Sequence, residues 1–222
     1  MSVQYFNDPE RLVKLLTQLA TGFGTTLSIF AMTLVISLPL GLVVALGRMS
    51  RRKVISAPVS LYILVMRGTP LMLQLFAVYF FLPKLVGPIP RLTATYIAFG
   101  LNYAAYFAEI YRGGIMSIPP GQYEAAQVLG FTKAQTFLRI ILPQTVKRIL
   151  LPVSNEVITL VKDTSLATAI AVSEMYLTAK NATSASGSVE PLFLAGVFYL
   201  LMNAAVTFVF GQLIKRFDYY HD

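Results

Sequence analysis

The stretch LLTQLATGFGTTLSIFAMTLVISLPLGLVVALG, residues 15–47, contains 33 residues without a charged side chain, and it decides the class of fold. An α-helix needs about 20 apolar residues to cross the ~30 Å of hydrocarbon in a bilayer. Charged residues, Lys14 and Arg48, bound the run on both sides. The stretch therefore predicts a membrane-spanning helix over about 20–47.

The composition of the whole chain agrees with a membrane protein. Hydrophobic residues make up 56% of the 222 residues and charged residues only 13%, whereas soluble domains average about 45–50% and about 25%. Because too few charged residues remain to cover a soluble surface, a soluble enzyme, a disordered chain and a nucleic-acid binder are disfavoured despite the net charge of +8. With no cysteine and a single histidine, His221, a Cys-based or His-based catalytic or metal site is not expected.

Four more apolar runs follow, and the five together predict an all-α integral membrane protein with a single transmembrane domain over residues 1–222. The later spans are expected at about 55–83, 92–112, 149–172 and 191–214. Arg67-Gly68-Thr69-Pro70 interrupts the second span. Because Pro70 cannot donate a hydrogen bond to the Met66 carbonyl, a break or a strong tilt is expected there. Small polar residues at 183–187 predict a turn before the last span.

The distribution of basic residues predicts the orientation of the spans. Eleven of the 18 lysines and arginines fall in the connections after spans 1 and 3 and in the C-terminal tail. Five fall in the N-terminal segment and in the other two connections. Since cytoplasmic loops carry the excess of Lys and Arg, the N-terminus is expected outside and the C-terminus in the cytoplasm.

The cytoplasmic segment at 119–143 predicts a compact helix–turn–helix. Two prolines and a glycine end the third span, and helix-forming residues follow over 122–129. Gly130 is placed to end this short helix in a left-handed conformation, Thr132 to cap a second helix, and Pro143 to kink or end it. Composition alone leaves open that the segment is a simple connector.

The spacing of residues in this segment resembles that of a known family. Glu124-Ala125-Ala126, Gly130 and Ile140-x-Leu142-Pro143 match the EAA signature of permease subunits of bacterial ABC importers, with three residues before the glycine and nine after it. Further stretches resemble the branch for polar amino acids: 67–70 (RGTP), 105–114 (AYFAEIYRGG) and 162–166 (KDTSL). The resemblance implies the type I importer permease fold.

The same resemblance implies a function and a set of partners. It implies a multi-pass subunit, in the bacterial cytoplasmic membrane, of an ATP-driven importer of a polar or charged amino acid. Glu124, Ala125, Ala126 and Gly130 would form a coupling helix that docks onto a separate ABC-type ATPase. A second permease subunit, identical or different, an extracytoplasmic substrate-binding protein and membrane lipid are the other implied partners. From the residues alone, Ala125 and Ala126 could instead fill a tight intramolecular contact.

The sequence lacks the phosphate-binding motif that an ATPase needs. No Gly-x4-Gly-Lys-Ser/Thr loop occurs, nor any Gly-Lys dipeptide. The chain is therefore expected not to be an enzyme and to hold no cofactor, with ATP and Mg²⁺ bound by the partner ATPase.

Polar residues within the predicted spans are candidates for a substrate site, because charges are costly in hydrocarbon and are usually functional there. Near the middle of span 4 lie Lys162, Asp163, Thr164 and Ser165. Opposite charges, hydroxyl groups and a locally opened backbone would suit a free amino acid. Alternatively, Lys162 and Asp163 neutralise each other.

Span 3 offers a second polar surface with Asn102, Tyr106 and Glu109, spaced i, i+4, i+7 on one helical face. Asn102 could instead hydrogen-bond a neighbouring helix, and Glu109 could pair with Arg112. Whether Arg67 faces this pathway or extends to the membrane interface is left open.

Two other classes of function would use the same residues. An ion-coupled secondary amino-acid transporter or channel would use Lys162, Asp163 and Glu109 as a proton or ion relay, and it would bind no ATPase. A membrane-embedded enzyme would need a catalytic pair such as Ser165 and Lys162. The EAA resemblance favours the importer over both.

Overall fold

The computed structural model describes residues 5–217, and every regular element in that part of the chain is helical. The α-helices are α1 (Pro9–Arg48), α2 (Lys53–Gly68), α3 (Leu71–Phe81), α4 (Pro83–Val86), α5 (Arg91–Met116), α6 (Pro120–Val128), α7 (Lys133–Thr136), α8 (Leu142–Asp163), α9 (Met175–Ser186) and α10 (Glu190–Arg216). A π-helical turn (Phe137–Ile141) joins α7 to α8, and a 3₁₀ helix (Thr164–Ile170) continues α8. The all-α class is thus confirmed.

Helix α1 begins at a typical N-cap and is much longer than a membrane is thick. The Asp8 carboxylate accepts hydrogen bonds from the backbone N–H groups of Glu10 and Arg11 at 3.1 and 3.3 Å, and Pro9 occupies the first helical position. The helix continues for 40 residues through Pro39. At 1.5 Å per residue it is about 60 Å long, twice the hydrocarbon thickness, so part of α1 extends beyond the bilayer.

Helix α5 lies at the centre of the bundle, packed against α1, α3 and α8. Its Phe99, Tyr103 and Phe107 side chains are fully buried. A small residue brings α1 close: a Cβ atom at Gly41 would lie 2.9 Å from the Phe107 Cβ and 3.1 Å from the Ala104 carbonyl oxygen. In lipid, where no hydrophobic effect drives helices together, such close van der Waals packing stabilises their association.

Fewer helices than the five predicted spans are apolar enough to cross a membrane by themselves. Within residues 5–217, Pro9–Arg48 and Glu190–Arg216 meet that condition, and the pair Lys53–Gly68 and Leu71–Val86, bent by 112° at the predicted break, would add a third. Threonine, tyrosine and asparagine dilute the apolar residues of α5, and charged residues do so in α8. The count of five spans stays a prediction.

The fourth predicted span is not a single α-helix. Its α-helical part ends at Asp163, and the chain continues in the tighter 3₁₀ form to Ile170. Ala171 then adopts the left-handed region with φ of 56°, which is unusual for a residue other than glycine. The backbone is therefore irregular immediately after the polar residues of this span.

The turn predicted at 183–187 is wrong for residues 183–186, which belong to α9, and the chain turns only from Gly187 onward. The helix continues through Ser186 and ends at Gly187, which has φ of 67°. Small polar side chains fit a helix when they bond back to it, and the Ser186 hydroxyl donates to the Ala182 carbonyl at 2.8 Å.

A buried carboxylate fixes the start of α9. Glu174 accepts hydrogen bonds from two backbone N–H groups in the first turn of α9, both at 2.7 Å, and from the Tyr199 hydroxyl at 2.9 Å. The Met175 N–H donates to the Thr26 hydroxyl at 3.2 Å. These bonds join α9 to α10 and α1. Glu174 lies outside the predicted spans and belongs to no motif, so nothing in the sequence singles it out.

Replacing Gly41 by alanine is expected to destabilise the protein. The new methyl group meets α5 and forces α1 outward. Because one of the atoms it meets is the Ala104 backbone oxygen, the cost is expected near the upper end of about 1–3 kcal/mol, which exceeds the gain of about 1 kcal/mol in helix propensity. Gly24→Ala is the matched control in the same helix, since no atom of another described helix lies within 4 Å of its Cβ position. Thermal unfolding in detergent should rank Gly41→Ala below the wild type and Gly24→Ala at or above it; equal values would contradict the packing.

Candidate functional site

The break between α2 and α3 is held by side-chain amides. Pro70 leaves the Met66 carbonyl without its helical partner, as the sequence predicts. The Gln74 and Asn102 amide nitrogens donate to that carbonyl at 2.9 and 3.1 Å. Gln74 also donates to the Thr69 carbonyl at 3.1 Å, and its own Oε1 atom accepts from Asn102 at 2.9 Å. The two amides thus replace the hydrogen bond that proline removes.

Asn102 is buried on α5, and its amide nitrogen makes both of these bonds toward the neighbouring helices. Of the two uses that the sequence leaves open, the structure therefore shows the bond between helices. A contact of Asn102 with substrate stays a prediction.

Glu109 pairs with Arg112, as one of the sequence alternatives has it. Two hydrogen bonds of 3.0 and 2.7 Å join the carboxylate to the Arg112 guanidinium. Guanidinium nitrogens of Arg67 and Arg48 lie 3.9 and 4.0 Å from the same carboxylate. One acidic group therefore links the ends of α1, α2 and α5 through three basic ones.

Arg67 faces α5. Its guanidinium lies over the Tyr106 ring, 5.2 Å from the ring centroid, in a cation–π contact. A cavity of about 400 Å³ opens beside Arg67, Tyr106 and Glu109. The structure thus places Arg67 with two of the predicted site residues.

Asp163 is half-buried, and its carboxylate accepts a hydrogen bond from the buried Tyr103 hydroxyl at 2.8 Å. Lys162 is exposed, and no ion pair within 4.0 Å joins it to Asp163 in the described part of the chain. Consecutive residues of a helix point about 100° apart, which separates the two side chains. The described structure therefore contains no direct ion pair between Lys162 and Asp163.

The two hydroxyl groups that follow Asp163 bond back to their own helix. Thr164 donates to the Val161 carbonyl and Ser165 to the Lys162 carbonyl, both at 2.7 Å. They support the backbone where it passes from α-helix to 3₁₀ helix. The Ser165 proton points to a carbonyl oxygen, so the Ser–Lys pair that a membrane-embedded enzyme would need is not formed.

Glu156 is a further carboxylate on this side of α5. It is half-buried and lies seven residues, two helical turns, before Asp163 on the same face of α8. Its charge interacts with those of Asp163 and Arg67. The i, i+7 spacing signals this placement in the sequence, but Glu156 stands apart from the polar cluster and is not among the predicted site residues.

The predicted residues thus form two groups on adjacent faces of α5. One group, with Tyr106 and Glu109, faces the break after α2; the other, with Asp163, faces α8. Arg67 lies 3.9 Å from Glu109 in the first group, and its charge also acts on Glu156, which shares a face of α8 with Asp163. Carboxylates and a guanidinium side by side can bind a ligand that carries both charges, as a free amino acid does.

Helix α6 carries the EAA residues and ends as the sequence predicts. Gly130 has φ of 77°, and its N–H donates to the Gln127 carbonyl at 3.0 Å. The Phe131 N–H donates to the Ala126 carbonyl at 3.0 Å, which completes a Schellman cap. Helix α6 is therefore terminated by a fixed left-handed turn.

The second helix of the segment also begins at the predicted residue. The Thr132 hydroxyl accepts from the Gln135 N–H at 3.3 Å, and the Gln135 side chain accepts from the Thr132 N–H at 2.9 Å, a capping box. Pro143 lies in the first turn of α8, after the π-helical turn, instead of ending a helix. The two helices are thus fixed independently at the turn between them.

The four residues predicted to couple the chain to an ATPase differ in accessibility. Ala126 is buried within the chain, whereas Glu124 and Ala125 are exposed. The intramolecular alternative therefore applies to Ala126 alone. Val128 and Leu129 leave 87% and 73% of their surface exposed at the end of α6. They are not among the predicted site residues; their signal in the sequence is that two large aliphatic residues stand at the end of a helix that, apart from Tyr123, is made of small and polar residues.

The amino-acid sequence matches a known protein family and its members. The model of the family described as "binding-protein-dependent transport system inner membrane component" matches residues 37–219. The arginine transport system permease protein ArtQ of Bacillus subtilis (strain 168) is 38% identical over 88% of this chain and 90% of its own. The octopine transport system permease protein OccM of Rhizobium radiobacter is 35% identical over 93% of this chain and 88% of its own.

Solved structures agree with the family match. A chain in a crystal structure of an amino acid ABC transporter with histidines is 33% identical, with a TM-score of 0.88, and the match covers 97% of this chain and 100% of that one. The MetNI methionine ABC transporter in inward-facing form shares the fold at 19% identity and a TM-score of 0.74, over 95% of this chain and 99% of that one. This chain therefore belongs to the family of inner-membrane permease components of binding-protein-dependent transport systems, as the EAA segment predicts.

Proposed function

We propose that this chain is the transmembrane subunit of an ATP-driven importer that moves a polar or charged amino acid across the cytoplasmic membrane. Family membership and the names of the relatives, which include arginine and octopine permeases, support this substrate class. A separate ABC-type ATPase binds ATP and Mg²⁺ and hydrolyses the nucleotide. A second permease subunit, identical or different, completes the pathway, and an extracytoplasmic binding protein delivers the amino acid.

The surface at the end of α6 carries the proposal. Two large apolar side chains, Val128 and Leu129, are exposed on a short helix beside the exposed Glu124 and Ala125. The capped turn at Gly130 holds this surface at a fixed angle to the following helices. An apolar group on a rigid helix suits insertion into a groove of another protein. We infer that the ATPase supplies that groove.

The proposed arrangement in the membrane has five spans, with the N-terminus outside and the C-terminus in the cytoplasm. The excess of Lys and Arg in alternate connections supports this orientation. The deep burial of α5 supports its passage through the bilayer despite its polar residues, because those residues face protein instead of lipid. Helix α6 then lies on the cytoplasmic side, where an ATPase can reach it.

The proposed substrate pathway follows α5 between the break after α2 and the irregular end of α8. Asp163 and Glu156 supply negative charge for a cationic group, and Arg67 supplies positive charge for a carboxylate. Tyr106, Glu109 and Ser165 contribute polar groups to the same region, and the buried Thr164 supports the backbone there through its bond to the Val161 carbonyl. Asn102 shapes it by holding the break, and Lys162 is exposed at its edge.

Replacing Val128 by aspartate is expected to uncouple ATP hydrolysis from transport. Val128 is 87% exposed, so the change leaves the fold intact and places a charge on the docking surface. In proteoliposomes, the ATPase activity stimulated by the binding protein should fall at least ~10-fold. Glu124→Ala should act in the same direction. The matched control is Val54→Asp, at a position 88% exposed in another cytoplasmic connection; normal uptake by Val128→Asp would contradict the coupling role.

Replacing Asp163 by asparagine, or Glu156 by glutamine, is expected to weaken recognition of a positively charged side chain. Each change keeps the shape and removes one charge, so KM for arginine uptake should rise about tenfold, a loss of ~1.4 kcal/mol. Glutamine serves as the neutral comparison in the same vesicles. An equal effect on both amino acids would argue against charge recognition at these positions.

The orientation can be tested with single cysteines, because the natural chain has none. Val54→Cys, Leu85→Cys and Val128→Cys place thiols at positions that are 88%, 84% and 87% exposed. A membrane-impermeant maleimide should label Leu85→Cys in cells whose cytoplasmic membrane is intact, and the other two only after that membrane is permeabilised. Any other pattern would overturn the orientation.

A further inference from the structure

A cleft between α1 and α9 lies apart from the substrate pathway and from the surface at the end of α6. Its volume is about 780 Å³. The two helices touch at its base, where a Cβ atom at Gly22 would lie 2.9 Å from the Met175 Cα. Several polar residues line its walls: Arg11, Lys14, Gln18, Ser173, Thr178 and Asn181.

The α1 wall of this cleft is basic. Arg11 and Lys14 line it, and no carboxylate is among the described residues that do so. Arg11 is partly neutralised by Asp8, at 3.0 Å. Lys14 is exposed and has no ion pair within 4.0 Å in the described part of the chain. Its charge is therefore available to an acidic group from outside.

The α9 wall leaves room for such a group. Ala182, Ala185 and Ser186 present only small side chains to the cleft. A loop of another protein that carries aspartate or glutamate would fit between these walls, because the α9 wall leaves space and the α1 wall carries the complementary charge. A flat apolar partner or a basic one would not match this surface.

The cleft lies at the end of α1 that the charge pattern places outside. Helix α1 is about twice as long as the hydrocarbon is thick, and its first turns precede the uncharged run at 15–47. Helix α9 connects the fourth and fifth predicted spans and so lies on the same side. The partner that meets this surface is therefore extracytoplasmic.

The cleft also lies close in sequence to the proposed substrate pathway. Ser173, in its wall, is three residues beyond the 3₁₀ helix that follows Asp163. Glu174 then anchors the start of α9 to α10. A partner seated in the cleft thus presses on the segment that leads directly to the pathway.

From these observations we propose that the cleft receives an acidic projection of the extracytoplasmic binding protein, with Lys14 as its main electrostatic contact. This proposal rests on the proposed function, since it names the surface through which the delivering protein is recognised.

The test is the charge-reversal variant Lys14→Glu in the reconstituted complex with its ATPase. The probe is the purified, amino-acid-loaded binding protein of the same transport system, titrated against ATPase activity. In the Lys14→Glu variant, the concentration of binding protein that gives half-maximal stimulation should rise about fivefold, and that concentration should depend less on salt. The maximal rate of ATP hydrolysis should stay unchanged. Lys14→Arg should behave as the wild type. Lys84→Glu, a cation in α4 on the same predicted side but away from the cleft, is the control.

The outcomes separate the inference from the function on which it rests. If the wild-type complex is not stimulated by any binding protein, the proposed function fails. If stimulation is normal and Lys14→Glu titrates as the wild type does, the cleft proposal fails. If Lys14→Glu lowers activity only in vesicles that contain phosphatidylglycerol and not in phosphatidylcholine alone, the cleft contacts anionic lipid and the proposal is overturned.

Discussion

Within hydrocarbon a polar backbone group must find its partner inside the protein, and this constraint governs the centre of the structure. Two helices are interrupted, α2–α3 at Pro70 and α8 at Asp163. Both interruptions are hydrogen-bonded by α5, through its consecutive residues Asn102 and Tyr103. Asn102 bonds the carbonyl freed at the first break, and Tyr103 bonds the carboxylate at the second. Because neighbours on a helix point about 100° apart, one turn of α5 reaches both breaks.

The central position of α5 explains its composition. A helix that faced lipid could not carry asparagine, tyrosine and glutamate at such density without a large cost. Here the polar groups are engaged by other helices: Asn102 by the break, Tyr103 by Asp163, and Glu109 by Arg112 and two further guanidinium groups. The interruptions therefore depend on α5, and α5 depends on them for its hydrogen-bond partners. The carboxylates at this depth are stabilised in different ways, Asp163 by the Tyr103 hydroxyl and Glu109 by guanidinium groups.

The sequence predicts those features that a single residue type imposes on its own neighbourhood. The missing N–H of Pro70 gives the break, the freedom of Gly130 gives the left-handed turn, and the hydroxyl of Thr132 gives the cap. Features that need a distant partner are not predictable in this way. Nothing near Asn102 in the sequence indicates the Met66 carbonyl, which is 36 residues away, and nothing local distinguishes the buried Ala126 from the exposed Ala125. Helix α9 is missed for the same reason, since the buried Glu174 that starts it is stabilised from α10.

One continuous stretch of chain connects the three surfaces that the proposed function needs. It leaves the exposed end of α6, passes through α7, the π-helical turn and α8 to Asp163, and then reaches α9 and the outer cleft. An unbroken α-helix over this path would transmit displacement only as a rigid rod. The path instead contains a π-helical turn before α8 and a 3₁₀ helix after it, and π-helical and 3₁₀ stretches within helices often mark functional hinges. Of the proposed pathway residues, Asp163, Thr164 and Ser165 lie at the second irregular segment, so a displacement that travels along α8 or back from α9 reaches them where the helical geometry changes. In the proposed function, location at this junction, more than the charge of any one residue, would let the ATPase on one side and the binding protein on the other act on the same site.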